Sequence, residues 1–470
     1  MTDPNLSYLF VAALSGVLLS VVLLVGAGAF YRLAESSVSL LDAFLDPDLD
    51  EDSRHARVSG RLGPTLLGLL LFGIYLVAMV GAALLPLFAY ARLTDRPFDA
   101  LDTSSGWFWL ALGIGSVVPF VVKSLLDRGR TDYSPISKVL HRLLLNNYSL
   151  SRKLFYRESG RLVASETIAE RFVIVTGLAR AGTTALTKAL AERGPFASLR
   201  YRDMPLLMSP RLWRRLHRPQ RQQLRERSHG DAVLFGVESV EALEEHFFKN
   251  MLRDAYVEPD RLREHSISAE LHQEYLRYQT LVRGQDDEAI YLAKNNNFLL
   301  RYASLREQNR AFAVLCLFRD PLEQAHSLLK QHRRFSKLQA EDPFVLEYMD
   351  WLGHHEFGLN QKPFAFEGQP ALPDYDRNGI DFWLASWLRY YQRVLALPDR
   401  HRFYLVQYAD FEQHPVPTLD RITRTLQLSL CTDNLRAFDN PNRYTGPAPD
   451  AELLAACRRV FERLGAEKIS

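Results

Sequence analysis

A short glycine-containing loop, GLARAGTT at residues 177–184, carries the clearest chemistry in the sequence. Gly177 and Gly182 permit tight turns, so successive backbone N–H groups can converge on phosphate oxygens, and a helix starting after the loop adds a favourable dipole. The glycine spacing is that of a nucleotide-triphosphate loop, but Thr183 occupies the position of the usual lysine, and Arg180 supplies the cation instead. The pattern predicts a phosphate-binding loop.

A second motif, LFRDPLEQAHSL, places Arg319 at the end of an apolar run and Ser327 eight residues later. Pro321 suits the first turn of a helix, so Ser327 should lie two helical turns beyond the strand end. An arginine supplies a bidentate fork and a serine supplies a hydroxyl, which together suit a second phosphate group.

The two motifs together resemble the sulfotransferase superfamily, whose donor is 3′-phosphoadenosine 5′-phosphosulfate (PAPS). The loop is similar to its 5′-phosphosulfate loop, G-x-x-[RK]-S-G-T-T, with Ala181 where serine is usual. The resemblance implies that Arg319 and Ser327 hold the 3′-phosphate and that Arg180 offsets charge on the departing bridging oxygen. The residues that it implies for the 5′-phosphosulfate are Gly177, Leu178, Ala179, Arg180, Ala181, Gly182, Thr183 and Thr184.

Two further stretches are similar to a bacterial branch of this superfamily. Residues 291–302, YLAKNNNFLLRY, resemble a segment that precedes the 3′-phosphate strand, and Lys294 within them either reaches the donor or acceptor or is a solvated lysine. A helix with Trp387 and Tyr391 and a strand ending at Tyr408 resemble the pattern that closes the core under the nucleotide. We interpret these three aromatic residues mainly as packing.

Candidate general bases for the acceptor hydroxyl follow the first helix, as they do in related enzymes. His229 lies in a glycine-containing loop beside Asp231, which could orient the imidazole, and Asp203 lies about twenty residues after the phosphate loop. His229 is the preferred candidate and Asp203 the alternative. A third group is interpreted as an exposed helix face: Glu238, Glu244 and Glu245.

No metal site is predicted. His354, His355 and Glu356 are adjacent, so their side chains point apart, and we expect them in a loop bordering the acceptor cleft. The chain has only three cysteines, which excludes a disulfide framework. Its 57 basic and 55 acidic residues give a net charge of +2, which does not support nucleic-acid binding through gross basicity.

Strands alternate with helices from about residue 165 onward. Buried-strand runs at 171–177, 311–318 and 401–408 are each followed by a helical pattern. This order predicts a parallel sheet covered by helices on both faces. With it, the resemblance implies a P-loop-like three-layer α/β sandwich with a central parallel sheet, the sulfotransferase fold, over residues 165–470.

Three windows, 4–31, 62–91 and 103–122, contain no charged residue. Each is long enough to cross a bilayer core, which needs roughly 20 apolar residues in a helix. We therefore predict a transmembrane region at 1–126 with spans at about 8–31, 65–91 and 104–125. An amphipathic juxtamembrane linker is expected at 127–164. Its helix either lies in the headgroup region beside the third span or is the first helix of the soluble domain.

The distribution of basic residues favours an outside N-terminus and a cytoplasmic catalytic domain, because the tail before the first span has no lysine or arginine. The predicted protein is a multi-pass membrane protein of the bacterial inner membrane. It transfers a sulfuryl group from PAPS to a hydroxyl or amine and releases adenosine 3′,5′-bisphosphate (PAP). Its acceptor is expected to be a lipid headgroup or glycan. The alternatives are a membrane-bound phosphotransferase that uses ATP and a non-catalytic nucleotide-responsive scaffold.

Overall fold

The computed structural model describes residues 6–45, 50–98, 101, 103–126, 141–142, 144–162, 168–216, 225–226, 234–235, 242–284, 286–428, 430, 446 and 448–469. The chain divides into two compact units, Met1–Leu143 and Leu144–Ser470. The division falls within the segment predicted as a linker, 127–164. Within that linker the structure describes residues 141–142 and 144–162, which include the helix Tyr148–Ser159.

In the part of the first unit that the structure describes, the chain forms three long helices: α1 (Leu6–Leu45), α2 (Glu51–Leu93) and α3 (Gly106–Leu126). Helix α1 packs along both of the others. The approach of α1 to α3 is close, because a Cβ atom added at Gly115 would lie 1.9 Å from the carbonyl oxygen of Ala13. Gly16 is in similarly close contact with the backbone of Leu112. Small residues at such crossings are typical of helices that pack in a bilayer.

Two helices of this unit, Leu6–Ala34 within α1 and the whole of α2, are long and apolar enough to cross a membrane. The apolar part of α3, Gly106–Val122, is shorter. Many large apolar side chains of the unit are exposed, with Leu70 and Ile114 at about 60%. The three uncharged segments predicted to span the membrane thus fall largely on helices. Two of these helices are long and apolar enough to cross a membrane.

The second unit contains a five-stranded parallel sheet in the order β2-β6-β1-β7-β9. Its strands are β1 (Phe172–Thr176), β2 (Phe196–Ala197), β6 (Ile290–Lys294), β7 (Ala313–Phe318) and β9 (Phe403–Gln407). Two small two-stranded sheets pair β3 (Arg225–Glu226) with β4 (Leu234–Phe235) and β5 (Leu262–Arg263) with β8 (Phe364–Ala365). The helices of this unit are α4 (Tyr148–Ser159), α5 (Thr183–Arg193), α6 (Pro210–Leu216), α7 (Glu245–Leu252), α8 (Ala269–Arg283), α9 (Tyr302–Gln308), α10 (Pro321–Glu341), α11 (Pro343–Trp351), α12 (Ile380–Leu395), α13 (Tyr408–Gln413), α14 (Pro415–Leu426) and α15 (Ala451–Ala466).

Helices cover both faces of this sheet. On one face, Val175 of β1 belongs to a buried cluster with Leu186 of α5 and Ile422 of α14. On the other face, the ring of Phe172 lies 5.6 Å from that of Tyr275 in α8. Strands buried on both faces need continuous apolar sequence, which is why β1 and β7 have no polar-apolar alternation. The prediction of a three-layer α/β sandwich with a parallel sheet is confirmed.

The sheet register brings three strand ends to one edge. Val175 pairs with Lys294 of β6, and Thr176 pairs with Cys316 of β7. The loop after β1 therefore emerges between the segments that follow β6 and β7. In open α/β sheets, ligands bind at this carboxyl edge.

Candidate donor-binding site

The loop after β1 requires glycine at two positions. Gly177 and Gly182 have φ angles of 144° and 94°. A Cβ atom at Gly177 would lie 2.5 Å from the carbonyl oxygen of Leu317, and one at Gly182 would lie 2.2 Å from the ring of Tyr408. Both glycines thus let the loop lie directly against β7 and the end of β9.

Gln324 of α10 fixes the orientation of this loop. Its buried amide nitrogen donates to the carbonyl oxygens of Leu178 and Ala179, at 2.9 and 3.0 Å, and its oxygen accepts from the indole of Trp387 at 3.0 Å. Because peptide groups are planar and trans, the N–H groups that follow these two carbonyls point away from Gln324. The geometry suits a loop that offers its amides to an anion.

The first turn of α5 adds further donors. Among the described residues, the backbone N–H groups of Gly182, Thr183 and Thr184 have no acceptor. Such unpaired amides, with the positive end of the helix dipole, favour binding of an anion.

The turn that joins β7 to α10 has the structure that its sequence predicts. This turn and the loop after β1 are called the two corners of the site. Asp320 caps α10 by accepting from the N–H groups of Leu322 and Glu323, both at 3.0 Å, and Pro321 occupies the first turn. Arg319 is only 5% exposed. Its Nε and one terminal nitrogen donate to the Glu323 carboxylate at 3.1 and 3.0 Å, and its guanidinium lies 4.8 Å from the centre of the Tyr408 ring.

The two corners meet directly. Nε of Arg180, in the loop after β1, donates to Oγ of Ser327, on α10, at 3.0 Å. Ser327 is 2% exposed. Tyr408 also joins the corners, since its ring contacts the Gly182 position on one side and the Arg319 guanidinium on the other. Two motifs about 140 residues apart in sequence therefore form one cationic, hydroxyl-bearing site.

The end of β6 forms the third side of the site. Lys294 closes the strand and is 7% exposed. Thr176 donates to the backbone oxygen of Asn295 at 2.7 Å, and Thr183 Oγ1 lies 3.4 Å from Asn296 Oδ1. Asn295 and Asn296 therefore contact the strand and the helix, β1 and α5, that flank the loop after β1.

Comparison with solved structures finds proteins of similar architecture, among them two sulfotransferases. One is sulfotransferase STF1 from Mycobacterium tuberculosis H37Rv, with 17% identity over 74% of this chain and 92% of that chain and a TM-score of 0.37. The other is sulfotransferase STF9 from Mycobacterium avium, with 14% identity over 73% of this chain and 77% of that chain and a TM-score of 0.31. Both are bacterial sulfotransferases. No family model and no curated protein matches the chain.

Asp203, one of the two predicted bases, is buried and hydrogen-bonded within the fold. It is fully buried and accepts from the backbone N–H of Arg200 at 2.8 Å and from the Arg214 side chain at 2.7 and 3.1 Å. Arg214 also donates to the carbonyl of Val282 at the end of α8. Both carboxylate oxygens thus have partners, which fits a fold-stabilising role better than proton abstraction. The other predicted base, His229, lies outside the described residues, as does Asp231.

The prediction that Glu244 and Glu245 form an exposed helix face is wrong: they are 1% and 4% exposed. Glu245 forms a bidentate pair with Arg301 at 2.8 and 2.7 Å. Burial acts to raise the pKa of Glu245, but the Arg301 guanidinium outweighs it and the pKa is lowered. Asn295 donates to both carboxylates, at 2.8 and 3.0 Å, so this network holds the end of β6. Glu238 lies outside the described residues.

Burial has the opposite result for Glu244, since the pKa of its carboxyl group is raised. Hydrogen bonds from Tyr275, Asn295 and Tyr291 oppose that shift without cancelling it.

Glu356 adjoins the site through a contact that the sequence motifs do not indicate. Its Oε1 accepts from Asn296 at 3.0 Å and lies 3.4 Å from Nδ1 of His354. His355, by contrast, faces the backbone oxygen of Asn360. Within the described part of the chain, no cluster of histidine, cysteine and acidic residues has an arrangement that could hold a metal ion.

Proposed function

We propose that this chain is a membrane-anchored sulfotransferase that uses PAPS as donor and releases PAP. The observation that carries this proposal is the hydrogen bond between Arg180 and Ser327, which joins the two anion-binding corners. One corner suits the 5′-phosphosulfate and the other the 3′-phosphate, so a nucleotide with phosphate groups at both ends satisfies the site.

The residues present fit such a donor. The amides at 178–184, with Arg180 and Thr183, would bind the 5′-phosphosulfate, and Arg319 with Ser327 would bind the 3′-phosphate. When bound, PAPS supplies an activated sulfuryl group on a phosphate leaving group. Arg180 would stabilise the charge that develops on that leaving group. An ATP phosphotransferase fits less well, since Thr183 leaves the loop without the lysine that contacts a terminal phosphate.

We further propose that the first unit anchors the protein in the bacterial inner membrane, with the N-terminus outside and the second unit in the cytoplasm. Two long apolar helices and the exposed apolar side chains of α2 and α3 support this proposal. Exposing such an apolar surface to water is unfavourable, whereas the apolar core of a bilayer can cover it. An enzyme anchored this way gains most when its acceptor is in the same bilayer, so we propose a lipid headgroup or lipid-linked glycan as acceptor.

A thermal-shift measurement on the detergent-solubilised chain tests the nucleotide preference. We expect PAP to raise the melting temperature and ATP·Mg to leave it unchanged, because stabilisation scales with ligand affinity for the folded state. A preference for ATP·Mg would favour the phosphotransferase instead. The acceptor would then be sought by comparing lipid extracts of deletion and parent strains for species that lose one sulfuryl group.

A further inference from the structure

A narrow crevice lies beside the loop after β1 and is distinct from the two anion-binding corners. Its volume of about 20 Å³ accommodates one water-sized group. Leu178 of the loop and Leu328, which directly follows Ser327, form one wall, and Trp383 and Ser386 of α12 form another. The indole nitrogen of Trp383 is already bonded to a carbonyl oxygen, so its ring is an apolar surface here. The crevice thus adjoins the proposed donor site.

Glu356 and Gln361 also line the crevice, as do Lys362 and Arg389. The Lys362 ammonium donates to the backbone carbonyl of Pro259, and the Arg389 guanidinium donates to those of Phe364 and Pro370. The Glu356 side chain is 8% exposed, and Gln361 is 5% exposed. Oε2 of Glu356 and Oε1 of Gln361 accept no hydrogen bond from any described residue. Buried polar atoms normally have partners, so two such acceptors in one crevice point to a ligand that donates hydrogen bonds.

Glu356 is also ionised at neutral pH. Burial acts to raise its pKa, but the nearby His354 and the hydrogen bonds to its carboxylate lower the pKa to about 2. A buried anion with an unpartnered oxygen is costly to maintain. A role in packing does not explain why Oε2 has no partner within the protein. A carboxylate that binds and deprotonates a substrate needs an oxygen without such a partner.

Glu356 is linked to the donor loop through one side chain. Asn296 donates to Oε1 of Glu356 at 3.0 Å, and its own oxygen lies 3.4 Å from the hydroxyl of Thr183. This relay occupies Oε1 and leaves Oε2 for the crevice. His354 lies on the same oxygen, 3.4 Å away, and serves as a positioning residue.

We propose that the crevice receives the acceptor and that Glu356 is a catalytic residue that binds and deprotonates it. The proposal rests on the sulfotransferase function proposed above. The chemistry selects a small hydroxyl- or amine-bearing group whose O–H or N–H donates to Oε2 of Glu356. The crevice has room only for this group itself, and for an amine Oε1 of Gln361 accepts a second donated hydrogen bond.

For a hydroxyl acceptor, a lone pair of the acceptor oxygen forms a bond to sulfur. The bond from sulfur to the bridging phosphate oxygen breaks, and its electron pair stays on that oxygen. The acceptor proton moves to Oε2 of Glu356 and then to solvent. The products are a sulfate ester and PAP. A carboxylate of low basicity suffices, because the oxygen becomes strongly acidic once it bonds to sulfur.

Formation of PAP from PAPS tests this proposal, since it counts transfer to any acceptor, water included. The purified full-length protein would be assayed in detergent with PAPS and a total lipid extract of its source cells. We expect Glu356→Gln to lower PAP formation by about 10²- to 10⁴-fold, with the Kd for PAP changed by less than about twofold. The control Glu341→Gln removes an exposed carboxylate of α10 and should change neither quantity.

The outcomes distinguish a failure of the role proposed for Glu356 from a failure of the proposed sulfotransferase function. Full activity in a folded Glu356→Gln protein would overturn the role of Glu356 and leave the sulfotransferase function intact. A wild-type protein that forms no PAP would contradict the proposed function itself. Should Glu356→Gln not fold, Ser386→Leu would fill the crevice from α12. It should abolish PAP formation with the Kd for PAP retained, and unchanged PAP formation would overturn the crevice as acceptor site.

Discussion

Arg319, proposed to bind the 3′-phosphate, already has a carboxylate partner. Its Nε and one terminal nitrogen are bonded to Glu323, whose side chain is 46% exposed. A 3′-phosphate at this corner would meet the Glu323 carboxylate as a like charge. The ion pair therefore holds Arg319 in place and at the same time competes with the proposed ligand.

Replacing that carboxylate should strengthen donor binding. For Glu323→Gln we expect the Kd for PAP to fall by roughly two- to fivefold, the modest size typical of a half-exposed ion pair. Titration calorimetry would measure the change, with adenosine 5′-phosphate, which lacks the 3′-phosphate, as the matched ligand that should show no gain. Weaker binding of PAP would mean that Glu323 assists the ligand rather than competing with it.

Glu244 gives a pH-dependent prediction at the same scale. Its pKa is raised in the folded protein, chiefly by burial, so the folded state disfavours its ionisation. Wild-type stability should accordingly fall as the pH rises above the ordinary glutamate pKa of about 4.3 toward the raised value. Glu244→Gln lacks this loss, so its melting temperature relative to wild type should increase between pH 4.5 and pH 8. A difference that does not vary with pH would contradict the shift.

At the scale of elements, α10 couples the donor loop to α12 through Gln324. This one side chain satisfies two loop carbonyls and the Trp387 indole at once. The orientation of the loop amides thus depends on how β1, α10 and α12 pack together.

Removing those bonds should affect both stability and ligand binding. Gln324→Leu keeps a similar volume but leaves buried polar groups unpaired, at about 1–3 kcal/mol for each. We expect a lower melting temperature and weaker PAP binding, measured by thermal unfolding and calorimetry. Gln392→Leu, at an exposed position of α12, is the control and should change stability by less than about 0.5 kcal/mol. Equal effects of the two substitutions would refute the role of Gln324.

The elements that sequence could predict are those with local signatures. β1 and β7 are continuous apolar runs, and the glycine loop and the Arg319–Pro321 corner follow them immediately. Glu356 was expected in a loop bordering the acceptor cleft, but its role and that of Gln324 escaped prediction. Their partners lie 60 and 146 residues away and leave no pattern in the local sequence. Glu245 was misassigned for the same reason: its charge is compensated by Arg301, 56 residues later.

At the scale of the whole molecule, the chain combines two compact units with different surfaces. The first exposes apolar side chains along α2 and α3, whereas the second encloses its apolar residues around a parallel sheet. A substitution that disturbs the first unit should therefore leave nucleotide binding in the second intact.

Two glycines of α3 test this separation. A Cβ atom at Gly115 would clash with the carbonyl oxygen of Ala13, whereas one at Gly113 has nothing within 4 Å. Gly115→Val should destabilise the helical unit by about 1–3 kcal/mol, seen as earlier proteolysis of that unit, with the Kd for PAP unchanged. Gly113→Val should behave like wild type. Equal proteolysis of the two variants would contradict the close packing of α1 on α3.

The most direct test of the two-corner site measures what the 3′-phosphate contributes to binding. The ratio of the Kd for adenosine 5′-phosphate to the Kd for PAP isolates that contribution, in wild type and in Arg319→Ala. We predict a large ratio in wild type that falls by about tenfold or more in Arg319→Ala, since a charged hydrogen-bonding partner is lost. An equal ratio in the two proteins would show that the 3′-phosphate does not bind at Arg319 and would contradict the two-corner site.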